Sequence, residues 1–322
     1  QRQMCIRDRS RRSLVIAILV FTVANLATAL SPTVWLFLGS RVAAGVAAGV
    51  YSPLSSAVAA ELVGQHRRGR ALALVLAGLA VGTVFGVPIG LALAQQWGWR
   101  AAFLLIVVIG GAALTGITLR GGELPTIAAS GAADRLRSIA RPKNLLTVTV
   151  TLLTGCASLG LYTYLTVVLS AGSLASHQTM AIWVWGLGGA VGALGIGRFV
   201  DKCNPLRLSA FILTGLTCAL VGMTLGQVPG IVVVSLFVWG LCGWASLAPQ
   251  QHVLLQTNPA DGATAVAANA SANYLGSALG AVIGSLLVAA HATPAMLCGS
   301  AAALAAVALI CQLARQRMDS EP

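Results

Sequence analysis

Charged residues are scarce in this sequence: only 9% of its 322 residues are Asp, Glu, Lys or Arg, whereas a soluble domain has about a quarter. Hydrophobic residues make up 57%, and the mean hydropathy is +0.86. This balance excludes an ordinary water-soluble domain. We therefore expect an all-α integral membrane protein.

The apolar residues form blocks of the length that a helix needs to cross a bilayer, about 20 residues. The blocks lack the ten-residue alternation of outer-membrane strands, which favours helices over a barrel. Ten spans are predicted: 14–31, 33–60, 70–94, 101–119, 144–169, 178–199, 206–226, 230–254, 264–290 and 293–314.

Carboxylates are missing from the interior of every predicted span. The eight acidic residues fall in loops, at helix ends or in tails: Asp8, Glu61, Glu123, Asp134, Asp201, Asp261, Asp319 and Glu321. A proton-coupled carrier usually needs a protonatable group that alternates between the two sides of the membrane. We expect that group on helices outside this sequence.

Cysteine and histidine show no ligand spacing. Most of the seven cysteines lie singly within apolar blocks, and the four histidines are far apart, so neither a disulfide nor a metal site is expected. The spans also carry no His/Glu metal set and no nucleophile–base pair. The sequence therefore predicts a protein that is not an enzyme and has no cofactor.

The net charge of +12 is explained by topology. Every Lys and Arg except Arg41 and Arg100 falls in one alternate set of loops and ends, as the positive-inside rule requires of cytoplasmic segments. Both ends and the long central loop are therefore expected on the cytoplasmic side of the membrane. Because the basic residues report topology, no nucleic-acid partner is expected, and the lipid bilayer is an expected partner.

The long polar segment 120–143 divides four predicted spans from six. The two sides share a pattern, since "GTVFGVPIG" at Gly82–Gly90 recurs as "GSALGAVIG" at Gly276–Gly284. Matched halves are typical of transporters. They predict that the first half lacks two helices, giving ten of twelve.

The predicted domain boundaries follow from this division. They are a cytoplasmic segment 1–13, four helices of an N-terminal bundle in 14–119, a cytoplasmic loop 120–143, a six-helix C-terminal bundle in 144–314 and a cytoplasmic tail 315–322. Residues 1–9 resemble translated adapter sequence and are expected to be non-native.

Small residues recur every fourth position in the third predicted span. Gly78, Gly82, Gly86 and Gly90 share one face, which permits close helix packing, and Pro88 removes one backbone hydrogen bond. A bend beside a flat face predicts a pivot. Ordinary small-residue packing is the alternative.

Two further polar features lie inside spans. Asn269 and Asn273 precede the glycines of the second copy, and they are interpreted either as a substrate-facing wall or as interhelical hydrogen-bonding groups. Arg41 shares a face with Gly45 and Gly49. A charge inside the membrane indicates a functional site with a buried partner, although its side chain could instead extend to the surface.

The segment from Ser40 to Gly90, followed by "GWRAAF", resembles helices four to six of the major facilitator superfamily. The resemblance is to its bacterial drug:proton antiporter branch, which includes arabinose-efflux-like and chloramphenicol-resistance-like permeases. It implies two pseudo-symmetric helical bundles, an N-terminally truncated chain, a place in the bacterial cytoplasmic (inner) membrane and a small-molecule substrate. It also implies proton coupling at Arg41, Gly45 and Gly49, and conformational bending at Gly78, Gly82, Gly86, Pro88 and Gly90.

A second motif, "GIGRFVDKCNPLR", resembles the family's loop signature, which implies a cytoplasmic charge latch of Arg198, Asp201 and Arg207. We expect the substrate cavity to be lined by Asn25, Asn269, Asn273, Tyr274 and Trp239.

These features predict a monomeric secondary transporter that exports small amphipathic molecules or drugs by alternating access, driven by the proton gradient. A sugar or amino-acid exporter of the same fold is the first alternative. A membrane sensor or scaffold without transport activity is the second.

Overall fold

A computed structural model describes residues 2–62, 74–75, 78, 81–119, 140–200, 202–257 and 262–320. This part of the chain forms helices and no strand. The helices are α1 (Arg2–Leu30), α2 (Val34–Glu61), α3 (Val87–Trp97), α4 (Trp99–Leu119), α5 (Pro142–Tyr162), α6 (Leu165–Ser170), α7 (Gln178–Gly195), α8 (Gly197–Val200), α9 (Pro205–Met223), α10 (Pro229–Ala245), α11 (Leu247–Thr257), α12 (Gly262–Ala289) and α13 (Pro294–Ser320). A π-helical turn, Gly82–Gly86, precedes α3, and a 3₁₀ turn, Ala175–His177, precedes α7.

Nine segments of the described residues are long and apolar enough to cross a membrane. They are Arg12–Leu30, Val34–Ser52, Trp99–Leu119, Pro142–Tyr162, Ala175–Val200, Pro205–Met223, Pro229–Thr257, Ala268–Ala289 and Pro294–Asp319. The predicted all-α membrane fold is confirmed. The remaining predicted span, 70–94, is described only at 74–75, 78 and 81–94, where it forms the π-helical turn and α3.

One predicted span is interrupted at a proline. The span 230–254 consists of α10 and α11, which meet at Ser246. Pro249 lies in the first turn of α11 and is buried. Because proline has no N–H to donate to the carbonyl four residues earlier, the break next to it has a physical cause.

The N-terminal unit comprises Gln1–Ala129. Within it, α1 packs against α2 and α4, and α3 packs against α4. Alanine is the commonest residue at the described buried positions of α1 and α2, with Ala29 and Ala44 at 1% exposure each, so the two helix backbones lie close together. This packing places the middle of α2 beside α1.

The C-terminal unit comprises Ser130–Pro322. In it, α5 packs against α12 and α13, α7 packs against α10, and α9 packs against α10 and α13. Four of its helices begin at a proline, namely Pro142, Pro205, Pro229 and Pro294. Proline suits this first position because its fixed φ fits a helix and its missing N–H would have no helical partner there.

Candidate functional site

Arg41 of α2 is hydrogen-bonded to a neutral side chain of α1. Its Nη1 donates to Asn25 Oδ1 at 2.9 Å, and Asn25 Nδ2 donates to the Phe21 carbonyl at 2.8 Å. Asn25 has no exposed surface. The second bond fixes the carboxamide with its oxygen toward the guanidinium, so Asn25 acts as an oriented acceptor for Arg41.

An aromatic ring of α4 lies on another side of the same guanidinium. Arg41 Cζ is 5.2 Å from the centroid of the Phe103 ring, within the range of a cation–π contact. Phe37 and Trp99 hold that ring edge-on, with centroids 6.3 and 5.9 Å away. Arg41 and its partners therefore lie on α2, α1 and α4, which all belong to the N-terminal unit.

Polar contacts one turn away fasten the same helices. Thr28 and Ser40 share a hydrogen bond of 2.8 Å between their hydroxyl oxygens. Arg100 Nη2 donates to the Ser31 carbonyl at 3.2 Å, and its guanidinium lies 5.1 Å from the Trp99 ring. Arg41 therefore lies next to polar contacts that join α1, α2 and α4.

The helix face beyond Arg41 is open. Gly45 and Gly49 are both exposed, and a Cβ atom built at either position meets no atom of the described residues within 4 Å. Phe21 and Tyr51 meet edge to face nearby, with centroids 5.4 Å apart. The three residues that the resemblance connects with proton coupling thus form a strip with a cation at one end.

The glycine motif of the third predicted span contains a π-helical turn. Gly82–Gly86 adopt it immediately before α3, and Pro88 lies in the first turn of α3. Gly90 faces Ala102 of α4, whose Cβ is 3.8 Å from a Cβ built at Gly90, while a Cβ built at Gly78, Gly82 or Gly86 meets no described atom within 4 Å. The helix changes its hydrogen-bonding pattern at the place where the sequence predicts a pivot, and the role of this turn stays a prediction.

The second copy of the glycine motif is a tight interface between α12 and α5. A Cβ atom at Gly276 would overlap the Leu152 carbonyl, one at Gly280 would overlap the Cys156 carbonyl, and one at Gly284 would overlap the Tyr164 ring. The close helix approach predicted from the glycine spacing is therefore present in the C-terminal unit.

The predicted cavity residues of the C-terminal unit occupy different environments. Asn269 is fully buried, and its side chain has no hydrogen-bond partner among the described residues. Asn273 packs against Gly155 of α5, and Tyr274 is 55% exposed. The three side chains thus differ in exposure, and their role in a cavity stays a prediction.

Trp239, also predicted to line the cavity, lies inside the C-terminal unit. It has no exposed surface, and its Nε1 donates to Ser158 Oγ at 2.9 Å. The neighbouring Trp185 stacks on Tyr162 with centroids 4.1 Å apart and meets Trp239 edge-on at 6.0 Å. Trp239 thus contacts protein on all sides in this conformation.

The predicted charge latch is only partly described. Arg198 and Arg207 are exposed, and Asp201 lies outside the described residues. Sequence reasoning missed a different ionic cluster: Asp319 Oδ1 accepts from Lys143 Nζ at 2.8 Å and from Arg315 Nη1 at 2.9 Å.

This missed cluster ties α13 to the start of α5. Arg315 is fully buried, and its Nε donates to the Lys143 carbonyl at 3.1 Å. The spacing of four between Arg315 and Asp319 places the two side chains on the same face of a helix. That spacing is the signal that could have revealed the pair. No group of three or more possible metal ligands occurs among the described residues.

A family model described as Major Facilitator Superfamily matches residues 6–281. The chain is 28% identical to the inner membrane transport protein YdhP of Escherichia coli K12, over 89% of this chain and 75% of that protein. It is also 28% identical to a chloramphenicol efflux pump of Mycobacterium tuberculosis H37Rv, over 97% of this chain and 78% of the pump. The solved structure of the human organic anion transporter MFSD10 is similar in fold, with a TM-score of 0.72 at 16% identity over 94% of this chain and 77% of that one.

Proposed function

Since the chain belongs to the Major Facilitator Superfamily, it is a multi-pass membrane transporter of small molecules, and we propose that it exports amphipathic compounds, drugs among them, by proton-coupled alternating access. Its relatives include bacterial inner-membrane transporters and proteins named as efflux pumps. Export of a particular drug is a property of those relatives, and their similarity supports the direction of transport proposed here.

The observation that carries the proposal is the position of Arg41. A charge inside a membrane span is costly and usually marks a substrate or ion pathway. Arg41 has a neutral hydrogen-bond acceptor and an aromatic ring as its partners. Its positive charge is therefore still available to influence a titrating acid or a passing ligand.

The glycine motif supplies the proposed movement. A π-helical turn often marks a functional site in a helix, and here it directly precedes Pro88. We assign bending to this turn, and we assign the cytoplasmic latch to Arg198, Asp201 and Arg207. The transporter is proposed to act as a monomer, with both ends in the cytoplasm and the proton gradient as its energy source.

The test is proton-driven efflux from proteoliposomes loaded with a fluorescent amphipathic dye. An imposed pH gradient should accelerate dye movement, and a protonophore should abolish the acceleration. Arg41→Lys should remove the proton-driven component, because a compact ammonium cannot keep the planar contacts of a guanidinium. Unchanged proton-driven flux in Arg41→Lys would exclude Arg41 from the coupling.

The same vesicles distinguish the two alternatives. Flux of a radiolabelled sugar or amino acid in place of the dye would favour the exporter of polar solutes. Absence of flux for every compound, with the protein correctly inserted, would favour the sensor or scaffold.

A further inference from the structure

The Arg41 guanidinium has unused hydrogen-bond donors. Within the described residues it donates one hydrogen bond, from Nη1 to Asn25. Its Nε and Nη2 have no acceptor there, and the side chain is partly exposed. A guanidinium carries five N–H donors, so most of its capacity remains available to a ligand.

The partners of Arg41 position its charge but do not neutralise it. Asn25 is a neutral amide, and the Phe103 ring offers only the weak negative potential of an aromatic face. A positive charge in a medium of low polarity attracts an anion strongly. A carboxylate has the geometry that a guanidinium binds with two parallel hydrogen bonds.

The surface next to these donors suits an apolar molecule. Gly45 and Gly49 follow Arg41 along one face of α2, and a Cβ built at either position meets no described atom within 4 Å. Leu38, 48% exposed, and Val42, 67% exposed, lie on the same side of the helix. At 1.5 Å per residue the strip from Arg41 to Gly49 is about 12 Å long, which matches a medium-length hydrocarbon chain.

We infer that Arg41 binds the carboxylate of an amphipathic organic acid, whose apolar body lies along Gly45 and Gly49. This inference rests on the proposed function, because a transport substrate is the ligand that would reach this span. Asn25 and Phe103 are then positioning residues, which hold the guanidinium beside the strip.

The test compares two probes that differ only at the head group. They are 11-(dansylamino)undecanoic acid and its primary carboxamide, measured by dansyl fluorescence with the purified chain in nanodiscs of zwitterionic phosphatidylcholine. The acid should bind at least tenfold more tightly than the amide. Arg41→Gln should abolish this preference, whereas Arg41→Lys should keep part of it.

Arg100→Gln is the matched control. Arg100 lies at the start of α4, and its side chain donates to the Ser31 backbone carbonyl just after α1. The variant should leave the acid preference unchanged. Equal binding of the two probes, or a preference that survives Arg41→Gln, would overturn the inference. Thermal unfolding of each variant separates loss of the site from loss of the fold.

A phospholipid phosphate could offer similar anionic oxygens. Nanodiscs that contain phosphatidylglycerol distinguish this source. If a lipid phosphate occupies Arg41, the acid and the amide should bind equally well in these nanodiscs. That result would reject a substrate carboxylate. Export of the amide probe without any acid preference would refute this inference and leave the proposed function intact. Binding of the acid without export of either probe would support this inference and refute the proposed function.

Discussion

Gly160 of α5 and Gly280 of α12 face each other so closely that a Cβ atom built on Gly280 would lie 2.7 Å from the Gly160 Cα. The same Cβ would overlap the Cys156 carbonyl. At this contact the two helices touch through their backbones. In a membrane, such packing replaces the hydrophobic effect that holds soluble helices together.

We expect Gly280→Ala to destabilise the C-terminal unit by about 1–3 kcal/mol, the usual cost of overpacking a close contact. The measurement is thermal unfolding in detergent. Gly299→Ala in α13 is the control, because a Cβ there meets no described atom within 4 Å. An equal loss in both variants would mean that glycine itself, rather than this contact, matters.

We expect Gly86→Val to reduce export at least tenfold while membrane insertion and yield stay normal. Gly86 ends the π-helical turn, and a Cβ built there meets no described neighbour. A β-branched residue restricts the turn without a clash that would unfold the chain. Gly116→Val, at an open position in α4, should affect neither property. Parallel loss of folded protein and export in Gly86→Val would contradict a bending role.

We expect Asn25→Leu to lower export about tenfold or more, since a hydrogen bond to a charged group contributes about 1.5–3 kcal/mol. The change removes the acceptor from Arg41 and keeps the volume similar. Thr28→Val breaks the neighbouring bond to Ser40, between the same two helices, and should reduce only thermal stability. Initial rates of dye efflux measure the difference. Equal rates for the two variants would show that Asn25 does no more than join helices.

We expect Ser158→Ala and Trp239→Phe to be non-additive in thermal unfolding. Ser158→Ala leaves a buried indole N–H without its acceptor, at a cost of about 1–3 kcal/mol, whereas the double variant has no such group. The double variant should therefore be more stable than the sum of the single changes predicts. Strict additivity would argue against the hydrogen bond between these side chains.

We expect Asp319→Asn to destabilise the C-terminal unit by about 1–2 kcal/mol, within the range of hydrogen bonds to charged groups. It would weaken two charged contacts, one of them to the fully buried Arg315. Arg317→Gln, at an exposed position of the same helix turn, is the control. Thermal unfolding at low and high salt tests the idea, and identical curves for Asp319→Asn and the unchanged chain would reject it.

The membrane fold could be predicted from the sequence because apolar blocks and the placement of Lys and Arg depend on the bilayer alone. Arg41 could be selected for the same reason, as a charge inside a block. Its pairing with Asn25 could not be predicted. That contact depends on how α1 and α2 are rotated about their axes, and both helices are apolar on most sides.

The environments of two other residues could not be predicted, for similar reasons. Trp239 has the size and polarity of a substrate-contacting residue, but its neighbours across three helices decide that it is buried. Arg315 follows the last apolar block, so the sequence alone assigns it to a tail. The structure continues α13 through Ser320 and buries the arginine between helices.

The π-helical turn at Gly82–Gly86 also sets the rotation of α3 about its own axis. A π turn holds one more residue than an α turn, and one residue corresponds to about 100° of rotation at 3.6 residues per turn. If these five residues adopted α-helical bonding, α3 would turn by that angle about its own axis and Gly90 would leave Ala102. A change of backbone hydrogen bonding within this one turn would thus change which side chains α3 presents to α4.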